Sequence, residues 1–261
     1  MPIPPEEGWA KAEAAMEKVL ELDATLPEVL IGNAFKLVHY REWDEAGAGI
    51  KRAAELNPKF PEIHHLYSFY LLAVGRFDDA VTEAERALEL DPLSLNYSRF
   101  LGICFFFARR YDEAIEQFNQ ALELEPNNPS VHEILGGVFL QKGMFTEAVA
   151  AWQRATTLEG DDELAAIFNR AKDNFAEAAQ AVAQKRIERL NAKTAAGEFV
   201  LAINFARAYL MLGDEDRTFH WLGKAVEERN VFPLLMNSDP FYDRVRADRR
   251  FQDLMRRINF E

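Results

Sequence analysis

Cysteine is almost missing from this chain: Cys104 stands alone. One thiol cannot build an intrachain disulfide framework or a thiolate zinc site. Glycine is sparse, with 13 residues beside 11 proline and 20 phenylalanine, which excludes a glycine-rich all-β chain. Positive charge is in deficit, 30 Lys and Arg against 43 Asp and Glu, for a net −13. A nucleic-acid-binding surface is normally basic because it must offset phosphate charge, so the balance argues against DNA or RNA as a partner. Long apolar runs are lacking too. The longest, Phe100 to Ala108, is about half of what a membrane-crossing helix needs, so no membrane association is expected. The start, Met1-Pro2-Ile3-Pro4-Pro5-Glu6-Glu7, has neither the basic nor the apolar region of a signal peptide, and a cytoplasmic location is expected.

What is present is enough apolar surface for a core, 49% of residues, and a strict repeat. Ala12, Ala46, Ala80, Ala114 and Ala148 are spaced by 34 residues. Ala53, Ala87, Ala121 and Ala155 keep the same period, as do Leu22, Leu56, Leu90, Leu124 and Leu158. A fourth ladder is aromatic: Trp9, Trp43, Phe77, Tyr111, Phe145. Pro58, Pro92 and Pro126 close three units.

Each unit reads as two antiparallel helices. In one, Leu95–Ala108 is the first helix and Glu113–Leu124 the second. Asp44, Asp78, Asp112 and Thr146 are placed to cap second helices, each followed by an acid that suits the positive helix end. The prolines stop those helices because they cannot continue the hydrogen-bond ladder. Small first-helix residues, Ala34, Ser68, Gly102 and Gly136, are expected to face the alanine ladders, with the aromatics filling space between units. One unit cannot bury its apolar face alone, but stacking can. The fold expected is all-α: a right-handed α-solenoid of antiparallel helix pairs with a C-terminal helical cap.

The period and residue types resemble the tetratricopeptide repeat (TPR) over about residues 9–160. The resemblance is carried by Gly75-Arg76-Phe77-Asp78-Asp79-Ala80, Glu89-Leu90-Asp91-Pro92, Leu101-Gly102 and Leu135-Gly136. The array then divides into a regular part, 1–160, an irregular unit, 161–197, a degenerate repeat, 198–229, and a short-helix cap, 230–261. Within the irregular unit, a helix Leu164–Lys172, a turn at Asp173-Asn174 and a polar helix to Lys193 are favoured over one helix from 162 to 193. Asp161-Asp162 and Asp239-Pro240 read as helix starts, and the cap is expected to cover the last repeat.

The ending is similar to that of bacterial TPR proteins whose repeats follow a winged-helix, kinase or β-propeller module. Leu212-Gly213-Asp214, Trp221-Leu222, Glu227-Glu228-Arg229, Asp239-Pro240 and Arg249-Arg250-Phe251-Gln252-Asp253-Leu254 carry this likeness. The chain begins on a second helix, Trp9–Leu22, which leaves a fragment and a stand-alone relative both open.

The chemistry is thin. Neighbouring His64 and His65 point to different sides of a helix, and His132-Glu133 lacks a second histidine. Cys104 lies among apolar residues and reads as an inert thiol. Gly47-Ala48-Gly49-Ile50-Lys51 follows no strand, so it is not a phosphate loop. No catalytic residue, metal or cofactor is expected.

The resemblance implies a concave groove lined by first helices. It places there Ile31, Phe35 and Val38; His65, Phe69 and Leu72; Arg99, Ile103 and Phe106, with Phe107; and Glu133, with Gly137 and Gln141. Some members clamp a partner's C-terminal carboxylate with Lys and Asn at such positions. Ile31/Phe35, His65/Phe69 and Arg99/Ile103 stand there instead, which disfavours that use. The stripe suits an amphipathic helix or an extended apolar peptide. It equally suits cover by the chain's own segments or by a second copy. Two functions stay open: a non-enzymatic scaffold binding a protein or peptide, and a regulatory or sensory module whose effector domain lies elsewhere. A homo-oligomer also stays open. Residues 244–261 carry six arginines against three acids, +3 locally, and leave −16 for residues 1–243. Nucleic acid is therefore excluded for the repeats more firmly than for the tail. A docking site for an acidic partner or nucleic acid is one reading of those arginines; a solvated helix face, with pairing to the acidic repeats open, is the simpler one.

Overall fold

The computed structural model describes residues 42–170, 175–228 and 235–258, with isolated positions before 42. The described residues form α-helices and a 3₁₀ turn, with no strand among them. In order, the helices are α1 (Trp43–Leu56), α2 (Pro61–Ala73), α3 (Phe77–Leu90), α4 (Leu95–Phe107), α5 (Tyr111–Leu124) and α6 (Pro129–Gln141). They continue with α7 (Phe145–Leu158), α8 (Asp162–Arg170), α9 (Phe175–Ala195), α10 (Ala202–Leu212), α11 (Glu215–Glu227) and α12 (Arg249–Arg257). Each first helix (α2, α4, α6, α10) packs on the second helix that follows it, and successive pairs stack as an α-solenoid. The turn expected at Asp173-Asn174 lies outside the described residues, as do Trp9, Ala12, Leu22 and Ala34.

Alanine is the hinge of the packing. Ala46, Ala80, Ala114 and Ala148 are completely buried, as is Thr218 at the matching place in α11. Ser68 meets this ladder at Ala80, and two of the small first-helix residues also make room for second-helix rings. A Cβ on Gly102 would sit 2.7 Å from the Phe118 ring, and one on Gly136 would sit 2.5 Å from the Trp152 indole. Sizes are exchanged across the pair: Gly102 meets Phe118 and Gly136 meets Trp152, while the unit with Ser68 has Ala84 at the ring position. The Ser68 hydroxyl, left without a ring, donates to the Ala80 carbonyl at 2.6 Å.

The caps differ from the sequence expectation. Asp44, Asp78, Asp112 and Thr146 lie inside the first turn, because Trp43, Phe77, Tyr111 and Phe145 open the helices. The cap residues Arg76, Arg110 and Met144 are pinned by the preceding turn, their N–H groups donating to Leu71, Phe105 and Phe139. The acids then act as first-turn charge, favourable at a positive helix end. Side-chain caps occur on other helices: Ser94 on α4, Asn128 on α6, Asp161 on α8 and Asp214 on α11.

Candidate functional site

Residues 235–258 do more than cover the last repeat. Phe251, Leu254, Met255 and Ile258 share one buried cluster with Phe219 and Leu222 of α11, and also with Ala46 of α1 and Ala73 of α2. The indole N–H of Trp43 donates to the Ile258 carbonyl at 3.0 Å. The chain thus returns to pack against α1 and α2.

The segment before α12 makes the crossing as a shaped turn. Asp239 caps the 3₁₀ turn Pro240–Tyr242, accepting from the Phe241 N–H at 3.0 Å. Its carboxylate, almost fully buried, also takes a bond from Arg207 at 2.9 Å. Arg246 donates back to the Asp239 carbonyl at 3.0 Å and to Asp243 at 2.7 Å. The buried Ser238 hydroxyl donates to the Leu72 carbonyl of α2 at 2.7 Å. Phe241 meets Phe106 of α4 edge-on, ring centres 6.0 Å apart. On its other side it fills the space over Gly137 of α6, where a Cβ would stand 2.8 Å from the ring.

Arg109 fixes this turn to the array. It donates to the Ser238 carbonyl at 2.8 Å, to Asp243 at 2.7 Å and to its own neighbour Phe107 at 2.6 Å. Its backbone is left-handed, φ 60°, and no other non-glycine among the described residues has positive φ. The equivalent residues one repeat away are Gly75 and Gly143, at φ 76° and 75°. Sequence reasoning missed Arg109, although an arginine at a glycine register of the period was there to be seen.

The expected groove residues divide into two rows. Leu72 and Phe106 are buried, Leu72 beneath Ser238 and Phe106 against Phe241, with Gly137 beside them. His65, Phe69, Arg99 and Ile103 are only partly buried. Phe100 links two of them: the His65 ring stands edge-on to it at 4.4 Å and the Phe69 ring stacks at 6.4 Å. Burial, helped by the Arg99 charge, pushes the His65 imidazole down to about 4, so it is neutral at ordinary pH. Burial also lowers the Arg99 pKa, without discharging it. Glu133 is exposed and pairs with Arg186 of α9 at 3.1 Å. Ile31, Phe35 and Val38 lie outside the described residues.

The other titratable residues hold the repeat together. His64 points away from His65, bonding Glu83 at 2.7 Å and the Pro58 carbonyl at 3.1 Å. One repeat on, Ser98 and Gln117 occupy the same places and bond at 2.9 Å. Two repeats on, His132 reaches the Pro126 carbonyl at 3.1 Å. Cys104 is fully buried beside Ser68, and burial pushes its thiol up to about 12. Among the described residues no three His, Cys, Asp or Glu stand together to hold a metal, and no helix is long and apolar enough to cross a membrane. Several arginines of the tail are spent on carboxylates: Arg250 on Asp216 and Asp248, Arg256 on Asp253, and Arg257 on Glu227.

Comparison with known proteins agrees with this architecture. Residues 70–129 and 105–163 match the family model of the tetratricopeptide repeat. The crystal structure of MamA is similar with a TM-score of 0.51 and 19% identity, over 62% of this chain and 98% of that one. MamA of MSR-1 is 25% identical with a TM-score of 0.48, over 60% of this chain and 95% of that one. YrrB, described as a TPR protein with an unusual peptide-binding site, is 17% identical with a TM-score of 0.47, over 85% of this chain and 96% of that one. No curated protein matches the sequence. At such identities the likeness to solved structures speaks for the fold alone, an α-solenoid, and the family-model match is confined to residues 70–163.

Proposed function

We propose that the chain is a non-enzymatic scaffold that binds a protein or peptide along the part of its concave face that its own tail leaves uncovered. The observation that supports this is the partly buried row His65, Phe69, Arg99 and Ile103 on two adjacent first helices, with His65 and Phe69 against the Phe100 ring. Aromatic and arginine side chains in a partly desolvated groove are the groups that dominate binding energy at interfaces. A neutral His65 presents an apolar edge, and Arg99 offers one cation in an acidic array. The occupant that fits is an amphipathic helix or an extended apolar peptide carrying an acid to meet Arg99.

The test is capture of a partner by the full chain, followed by Phe69→Ala with Ile103→Ala. Loss of that partner with unchanged helical circular dichroism supports the row as the site. Undiminished capture overturns it. Phe106 is unsuitable for this test because it lies against Phe241. A role as the sensory part of a regulator rests on the resemblance of the tail, and would change the partner rather than the site.

A further inference from the structure

We propose that Phe106, Arg109 and Gly137 form a seat for a short acidic, aromatic segment, an Asp-Pro-aromatic turn followed by a carboxylate. In the free protein, the chain's own Ser238–Asp243 fills this seat. A partner segment of the same chemistry replaces it.

Three features of the seat go beyond what repeat packing needs. First, a side chain in the left-handed region costs roughly 1–2 kcal/mol relative to its ordinary conformation. Glycine meets that need in the neighbouring units, and Arg109 does not. What the arginine adds is a cation whose bonds go to the Ser238 carbonyl and the Asp243 carboxylate. Second, Gly137 is not matched to any second-helix ring, as Gly102 and Gly136 are. The ring it admits is Phe241 of the tail. Third, the ligand is preformed. Asp239 caps its turn, Pro240 restricts the backbone, and Arg246 closes it from behind. A segment that holds its own shape loses little entropy on docking.

The cis segment is favoured by connectivity, since a tethered ligand has an effective concentration of about millimolar. A free peptide with only the same contacts therefore competes poorly. A partner must bring the same turn and further contacts, such as those of the open row. The inference rests on the scaffold reading for its biological use, but its test does not depend on any partner.

The probe is a fluorescent peptide spanning residues 235–246, added to full-length chains. In Phe241→Ala with Asp243→Ala, the cis segment is weakened while the seat stays intact. We expect the peptide to bind that chain at least about tenfold tighter than wild type, and to lose about tenfold when Arg109→Ala is added. A peptide with lysine in place of Asp243 should fail to bind. Asp243→Ala alone, a substitution at a half-exposed residue, repeats the test with the cis ring in place. The proposal is overturned if the peptide ignores the weakened chains while their helical signal is intact, or if Arg109→Ala leaves its binding unchanged. Phe69→Ala with Ile103→Ala should not affect the peptide, so failure of the open-row site and failure of the seat are read separately.

Discussion

The hydroxyl of Ser238 and the carbonyl of Leu72 meet at 2.7 Å although 166 residues separate them. The carbonyl belongs to a first helix expected to line an open groove, and the hydroxyl to a segment expected only to cap the far end. Leu72 O also accepts from the Gly75 N–H, so Ser238→Ala strands no buried acceptor. The loss should be the net value of one hydrogen bond, about 1 kcal/mol, read from the urea midpoint.

Arg109 allows a sharper comparison. Arg109→Ala removes the bonds to Ser238 and Asp243 and keeps the left-handed strain. Arg109→Gly removes the same bonds and relieves the strain. Alanine should therefore be the less stable variant, by about 1 kcal/mol in urea unfolding. Equal stabilities would show that the backbone is not strained there.

The exchanged sizes in the repeat core predict opposite signs for similar substitutions. Gly102→Ala and Gly136→Ala push a methyl into Phe118 and Trp152, and each should cost about 1–3 kcal/mol. Gly49→Ala, on α1 with nothing within 4 Å of its Cβ, should instead stabilise by about 0.5–1 kcal/mol. Thermal unfolding of the three variants checks both directions.

The two adjacent histidines should respond to pH in opposite ways. His65 is held down to about 4 by burial, against an unfolded value near 6.5. Its contribution is whole above about pH 6.5 and is lost as pH falls toward about 4. His64 is raised, chiefly by its hydrogen bond to Glu83. Its contribution is whole below about pH 6.5 and is lost as pH rises through the raised value. His65→Phe should thus flatten the acid side of a melting-temperature profile, and Glu83→Gln the neutral-to-alkaline side.

Cys104 should stay unmodified by a water-soluble thiol reagent in the native chain and react fully in denaturant. Burial removes both access and thiolate. Native labelling at the rate of a free thiol would mean that the α2–α4 contact opens readily.

The repeat was legible because its causes are local and recur. The alanine ladder, the closing prolines and the aromatic steps are visible at a fixed period, and helices α1 to α7 follow them. The caps were misplaced by two residues, because the turn's backbone bonds rather than side chains fix where second helices begin. The tail was legible as a helix start at Asp239-Pro240. Its destination was not. Ser238 meeting Leu72, and Phe241 seated on Gly137, are pairings between one-off residues and a periodic array, and no spacing encodes them.

The bond from Trp43 to Ile258 changes how the molecule should lose its structure. A stack in which each unit touches only its neighbours frays from its ends, each unit leaving in turn at a fraction of the total cost. Between Trp43 and Ile258 the stack is instead a loop fastened to itself. Fraying at either of these residues must first break the clasp, so the repeats between them should melt together as one body.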